Sequence, residues 1–445
     1  MHIGGDFLTW KRFVDFMDLF FGNLENENFS ELDPITWEMM HLCMNFLEGS
    51  FIGHHWSADS TAVGALHTEV IRTQRKNFST DVLKAYEPCK EFSLMYTDAL
   101  LIEAGLDHFG MDNCESEPTQ NMDRLPGESD LEWSKRQLGL IVDRYVFPVL
   151  SGHSKLPVIQ ETETEVKVRG TPVTLANGEV VLIPFNDDED EYLSDSGDDS
   201  DEEDAPRVPL HTGVQVTRVF REVRSDHKKN YFHSILECGM VFKLLLEFIK
   251  TPHRESLLRL FKLMTIIMKG RSVNAQYPIA LITTLVQQYS IYPLNEACQT
   301  LQACFANTRG KPDTHVPVDM VNEWGVRAQK KNNIHAGPNK SDEQIYLQSA
   351  ALPGLAEIGE RWDEEVNAVH RSHRHHKFED PEAFAVLLED IHQALPFLHI
   401  EDRCLEDFPR IFASLTEALD GHYLMAWMRE KMEDLRPDDV PAAPN

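Results

Sequence analysis

Apolar residues three and four apart recur over most of this chain, and that periodicity constrains its fold more than any other feature. Such spacing stacks side chains on one face of an α-helix, and burial of that face against a neighbour supplies most helical stability in water. From Phe7 to Phe21 the repeat runs through Leu8, Phe13, Phe16, Met17 and Phe20, and from Ile35 to Phe51 through Trp37, Met40, Cys43, Met44 and Leu47. Asp59 to Gln74 and Phe92 to Gly105 continue it, and a helix through Trp133, Leu138, Ile141 and Tyr145 is stopped by Pro148. Tyr231 to Lys250, Glu255 to Lys269, Ala275 to Ser290 and Leu294 to Ala306 follow with short turns between them, which predicts a compact bundle. Ser341 to Ala351, Gly354 to His370, Pro381 to Ala394 and Asp407 to Glu433 repeat the pattern.

The periodicity changes near the middle. Glu165 to Arg169 and Thr171 to Leu175 alternate, Asn177-Gly178 supplies a tight turn, and Glu179 to Phe185 returns as β-rich sequence, so a hairpin is expected. The run from Asp187 to Asp204 then holds twelve carboxylates and no Lys or Arg, too polar to offset its ordering entropy. Ser194, Ser196 and Ser200 within it would suit an acid-directed kinase, and an unmodified solubilising loop is the alternative reading. The expected organisation is a mainly α, multi-helix body: an N-terminal helical region over 1–164, the small β-hairpin over 165–185, an acidic disordered insertion over 186–208, a helical bundle over 209–335, a C-terminal helical region over 336–435 and a frayed tail over 436–445.

The formal net charge is −31, of which −19 remains once the acidic run is set aside. That balance repels a phosphate backbone, so nucleic-acid contact is expected only where cations gather: at Lys228 and Lys229, at Arg327, Lys330 and Lys331, and from Arg371 to Lys377. The histidines at 370, 373, 375 and 376 beside that last group read as a solvated polar segment, because they lack the spacing of a closed metal site. A basic protein is the partner the acidic run itself would attract. The seven cysteines are scattered with no CxxC, the start lacks a signal-peptide layout, and no apolar run is long enough to span a bilayer, so reduced thiols, no membrane and a cytoplasmic or nuclear location are expected. No Gly-rich phosphate loop, GxSxG elbow or Cys/His nucleophile arrangement is present.

Five segments look like motifs: Gly4-Gly5-Asp6-Phe7-Leu8-Thr9, Lys228 to His233, Ala303 to Pro312, Val316 to Glu323 running on to Lys330, and Ala336-Gly337-Pro338-Asn339-Lys340. In this order they resemble the uncharacterised family catalogued as domain of unknown function 6589, over roughly Gly4 to Asp363. That family is found in fungal and animal genomes, often near mobile elements, and is similar to degenerate transposases of the RNase H-like type. The resemblance implies a remnant of an RNase H-like core. Its Gly-Asp-Gln-Leu-Thr pattern keeps Asp6 and Thr9 with Phe7 in place of the glutamine, and its Asp-Trp-His falls at Thr36-Trp37-Glu38. Its Asp-Leu-x-x-Glu-x-x-Asn-x-x-x-Lys falls at Asp319, Met320, Glu323, Val326 and Lys330, without the asparagine.

If the family chemistry survived, the resemblance would make Asp6, Asp319 and Glu323 catalytic, with Asp6 and Glu323 holding Mg²⁺ and Glu38 replacing the missing acid. Thr36 is a neutral hydroxyl where Mg²⁺ wants a charged oxygen, and only five residues precede Asp6, so the sheet is expected to be truncated or absent. The expectation is therefore a catalytically degenerate, mobile-element-derived protein that needs no cofactor. A metal-dependent nucleic-acid-processing enzyme and an interaction module using the acidic loop are the alternatives. Read from position alone, Asp6 and Asp319 are helix caps, the commoner role of an acid just ahead of a helical pattern.

Overall fold

A computed structural model describes residues 3–5, 35–148, 158–174, 180–184, 211–223, 226–270, 276–335, 381–400 and 421–434, with single positions between 341 and 408. The helix expected over Phe7 to Phe21, the acidic run, the histidine cluster and the tail lie outside these residues, as do most of 341–370. The described part is mainly helical. The chain divides into two compact units, one of Met1–Lys155 with Asp226–Asn445 and one of Leu156–Ser225.

The first unit opens with strands β1 (Ile3–Gly5) and β2 (Ile35–Trp37), paired in parallel with Gly5 opposite Trp37. One expectation is corrected here: residues 35–37 are strand where a helix was expected. Strand β1 precedes Asp6 and its partner β2 follows it, which is as short a sheet as the truncated one expected. The β-branched Ile35 and Thr36 favour the extended chain, and the partner strand lies far upstream where a local pattern cannot reveal it. Helix α1 (Met39–Asn45) follows and runs on as a wider π-type turn, Phe46–Gly53. Helix α2 is short (Leu66–Arg72), so the expected Asp59 to Gln74 helix is realised only in part.

Helix α3 (Val82–Phe109) carries Pro88, and Ala85 one turn before it leaves helical geometry (φ −141°, ψ 40°), because proline removes a backbone donor and crowds the preceding turn. Gly110 ends α3 in the left-handed region. Helix α4 (Asp130–Ile141) starts at a full capping box, in which Ser129 and Glu132 each accept the other's backbone N–H.

The second unit is an antiparallel sheet with β3 (Val158–Thr174) in the centre, β4 (Val180–Pro184) on one side and β5 (His211–Val223) on the other. The expected hairpin is present, with Thr174 opposite Val180. The strand β5 corrects the helical reading of 209–335 at its start. Its partner is the first part of β3, with Val158 opposite Val223, across the acidic run, and such non-local pairing leaves little trace in a local window.

The first unit resumes with α5 (His227–Lys250), α6 (Arg254–Gly270), α7 (Gln276–Val286), its π-type continuation Gln287–Ile291, and α8 (Leu294–Gln302). Strand β6 (Phe305–Ala306) pairs antiparallel with β7 (Val316–Pro317), so the helix expected over Leu294 to Ala306 stops short of its predicted end. Helix α9 (Val318–His335) starts directly after β7, and α10 (Pro381–Ala394) and α11 (Gly421–Asp434) complete the described elements.

Helices α3 and α5 cross at the heart of this unit, where Phe92, Tyr96, Tyr231, Phe232, Phe242 and Phe261 are fully buried. Phe46 stacks on Phe242 with centroids 6.3 Å apart and planes 8° from parallel, which seats α1 on α5. The hydroxyls of two buried tyrosines are satisfied: the Leu66 N–H donates to Tyr231 Oη at 2.9 Å, and Tyr96 Oη donates to Gly64 O at 2.5 Å. Asp226 caps α5 through the Lys229 N–H at 3.1 Å and takes Arg403 in a two-bond ion pair at 2.8 and 2.7 Å. No helix among the described residues is long and apolar enough to cross a membrane.

Candidate functional site

The site forms where β2 hands over to α1. Glu38 is the N-cap of α1 with extended backbone (φ −91°, ψ 125°), but its side chain makes no capping bond. The free N–H groups of that helix therefore need another acceptor. Asp319, in the first turn of α9, provides it: Oδ2 accepts from Met40 N at 2.7 Å and from His41 N at 3.4 Å. Its Oδ1 accepts from Met320 N at 3.1 Å. Asp319 does cap a helix, but it caps α1 as well as sitting at the head of its own.

His41, one turn into α1, closes the group. Its Nδ1 lies 2.6 Å from Glu38 Oε2 and 3.5 Å from Asp319 Oδ2, aligned with neither for a directed hydrogen bond, so the contact is an ion pair. The ligand atoms of Glu38, His41 and Asp319 all lie within 4.8 Å of one another. The Asp319 carboxylate first and that of Glu38 second hold the His41 imidazole protonated, to about 10 against an ordinary 6.5. Burial, then the Asp319 charge, pushes the neighbouring Cys43 thiol up to about 12, which keeps it a neutral core residue.

Steps of four, three and four residues put Asp319, Glu323, Val326 and Lys330 along one face of α9. Only Asp319 of these enters the acid–imidazole group, while Glu323 sits one turn further on, partly buried. Arg327 and Lys330 are exposed, and the side chain of Lys331 is outside the described residues, as is Asp6. Lys228 and Lys229 belong to the packed start of α5: burial lowers the affinity of both for a proton, and Lys228 Nζ stands 5.6 Å from the Phe408 ring centroid. His41 escaped sequence reasoning, although the Glu38-x-x-His41 spacing, which sets two ligand types on one helical face, was a usable signal.

Two carboxylates and one imidazole suit a borderline cation such as Zn²⁺ or Mn²⁺ better than Mg²⁺, which prefers oxygen alone. A two-metal centre of the phosphodiester-cleaving type uses carboxylates to hold both ions about 4 Å apart, and Glu38 and Asp319 are the two that the described residues bring into this group. The other state open to the group needs no metal: a protonated His41 offsets one of the two carboxylate charges.

Among known proteins, the model of a family of unknown function (DUF6589) matches residues 1–375. The chain belongs to that family. No curated protein and no solved structure matches it. The family match covers both halves of the acid–imidazole group, since Glu38 and His41 lie near its start and Asp319 toward its end.

Proposed function

We propose that this family member is a catalytically degenerate, transposase-like protein whose former acidic centre now works as a structural clasp. The observation that carries the reading is the position of His41, whose imidazolium stands between Glu38 and Asp319 where a catalytic cation would sit. Asp319 is only 4% exposed and is committed to backbone N–H groups, so it has little freedom to follow a reacting phosphate. The parallel pair β1–β2, with Gly5 opposite Trp37 just ahead of Asp6 and Glu38, supports descent from an RNase H-like sheet. The test is a nuclease assay of the full chain with Mg²⁺ or Mn²⁺ on single- and double-stranded DNA, alongside Glu38→Gln. The expected result is no cleavage by either protein; metal-dependent cleavage that Glu38→Gln abolishes would overturn the reading.

The same strand register favours one alternative, a metal-dependent nucleic-acid-processing enzyme. In it Glu38 supplies the acid that Thr36 cannot, and a divalent cation displaces the His41 proton. A cation binding the folded state alone would raise stability by about 2.7 kcal/mol at a hundredfold excess over its dissociation constant. The clasp reading expects no such rise with Zn²⁺, Mn²⁺ or Mg²⁺ in a thermal melt.

A further inference from the structure

Helix α10 lies beyond the residues that the family model matches, yet it is packed on α2 and α3 of the body. Leu387, Ile391 and Ala394 make the apolar part of that contact and are buried. Gly64 (φ +88°) leaves room for it, since a Cβ there would come within 2.8 Å of the Ala394 Cβ. Two charged pairs accompany the apolar stripe. Arg72 of α2 takes Asp390 in a two-bond ion pair at 2.5 and 2.7 Å, and His392 Nδ1 lies 3.0 Å from Glu103 Oε2 of α3.

The Arg72 pair contains one acid too many. Glu69, one turn ahead of Arg72 on α2, is fully buried and stands against the Asp390 carboxylate. Its Oε1 accepts the Gly64 N–H at 2.8 Å, but its Oε2 has no donor among the described residues. Asp390 is itself only 1% exposed, so two carboxylates meet away from water with one guanidinium to offset them. The phenols that face Glu69, Tyr96 of α3 and Tyr231 of α5, are pushed upward chiefly by burial and stay neutral, so they add no charge. Two ionised carboxylates placed in this way would repel each other and leave Oε2 unmet. A single proton between them answers both problems.

We infer that Glu69 and Asp390 share one proton, and that this carboxyl–carboxylate bond is a pH-sensitive latch holding α10 on the body. The proton sits on Glu69 and is donated through Oε2, while Asp390 stays ionised for Arg72. Its removal leaves two buried like charges across the α2–α10 contact, and the helix loosens. Burial first, with the Asp390 charge adding to it, raises Glu69 to about 8 against an ordinary 4.5. The docked state therefore keeps a proton that Glu69 gives up once α10 leaves and water enters. The latch is complete below pH 4.5 and is lost as pH rises through 8, docking weakening by at most about tenfold per pH unit.

The test is hydrogen exchange of the full chain from about pH 5.5 to about pH 9.5, corrected for intrinsic amide rates and read at peptides of α10 and of α6. Protection of α10 is expected to fall by up to about tenfold per pH unit toward pH 8 and to level off above it, a fall that α6 does not share. Glu69→Gln keeps an acceptor for the Gly64 N–H and gives Asp390 a fixed N–H donor, so its α10 should stay protected at alkaline pH. His392→Gln removes the other titrating pair of this helix and should leave the slope in place. Infrared spectra of the unaltered chain need no variant: the carbonyl stretch of a protonated carboxyl group should be present at neutral pH and vanish above pH 8. Flat α10 protection, a fall shared equally by α6, a slope that survives Glu69→Gln or vanishes in His392→Gln, or absence of that band at neutral pH would each overturn the inference.

Discussion

Asp319 Oδ2 accepts the Met40 N–H at 2.7 Å across 279 residues of sequence, so a carboxylate at the head of α9 closes the open end of α1. An N-cap supplied from another helix ties the two ends of the family motif together more firmly than either helix's own cap could. It also fixes Glu38 and His41 in the first turn of α1 against the same carboxylate.

Replacing Asp319 tests that tie. Asp319→Ala removes the acceptor and leaves His41 with one carboxylate, an expected loss of about 2–4 kcal/mol. Asp319→Asn keeps an acceptor for Met40 N and should cost about half as much. Urea unfolding with an unchanged slope is the measurement, and a cost below about 0.5 kcal/mol for the alanine variant would show that the cap contributes nothing.

The pH dependence of stability follows from two histidines displaced in opposite directions. The Asp319 and Glu38 carboxylates raise His41 to about 10, so the folded state binds its proton more tightly than the unfolded chain, whose histidine titrates near 6.5. That contribution is complete below pH 6.5 and is lost as pH rises through 10. His233 is the reverse: full burial, partly offset by the Tyr145 carbonyl 2.7 Å from its Nδ1, lowers it to about 4. Its contribution is complete above pH 6.5 and is lost as pH falls through 4. Unfolding free energies measured from acid to alkaline pH should show both slopes, and His41→Gln should flatten the alkaline one between pH 8 and 10, above the range in which Glu69, raised by burial to about 8, also titrates.

At Gly239 helix α5 lies tight against Thr97 of α3. A methyl group there would overlap Thr97 Oγ1 and lie 2.7 Å from Thr97 Cγ2. Alanine gains about 1 kcal/mol in helix propensity, yet the overlap should make Gly239→Ala a net loss of about 1–3 kcal/mol. Thr97→Ala in the same chain should restore most of it. A thermal melt of the single and double variants checks this, and a stable single variant would mean the crossing yields.

Asp226 caps α5 and receives both Arg403 bonds while only 2% exposed. Asp226→Ala should cost about 3–5 kcal/mol, because it strands a guanidinium against a buried surface. Hydrogen exchange should report the loss first in the opening turn of α5, and an effect spread evenly over the unit would argue against a local cap.

How much of this was legible beforehand depended on sequence separation. The apolar repeat announced α3, α5, α6 and α10, and Asn177-Gly178 announced the β3–β4 pair. Ser129 and Glu132 mark the start of α4 in a form that four consecutive residues contain. The strand at 35–37 and the strand β5 were missed, since each is held by a partner far away in the chain. Asp319 was read as the cap of the helix it leads, whereas it lies within α9 and its Oδ2 accepts the open N–H groups of α1.

The sequence by itself determined a mainly helical protein, its hairpin, its acidic middle and its family, because helical period, turn chemistry and motif order are local or linear properties. Only the tertiary structure decided that Glu38, His41 and Asp319 share one site and that Glu323, Lys228 and Lys229 do not enter it. The physical reason is that the packing of α9 against α1 sets those distances. The same helical spacing would fit several such packings, and the backbone N–H groups left open at Met40 and His41 select the one that satisfies them.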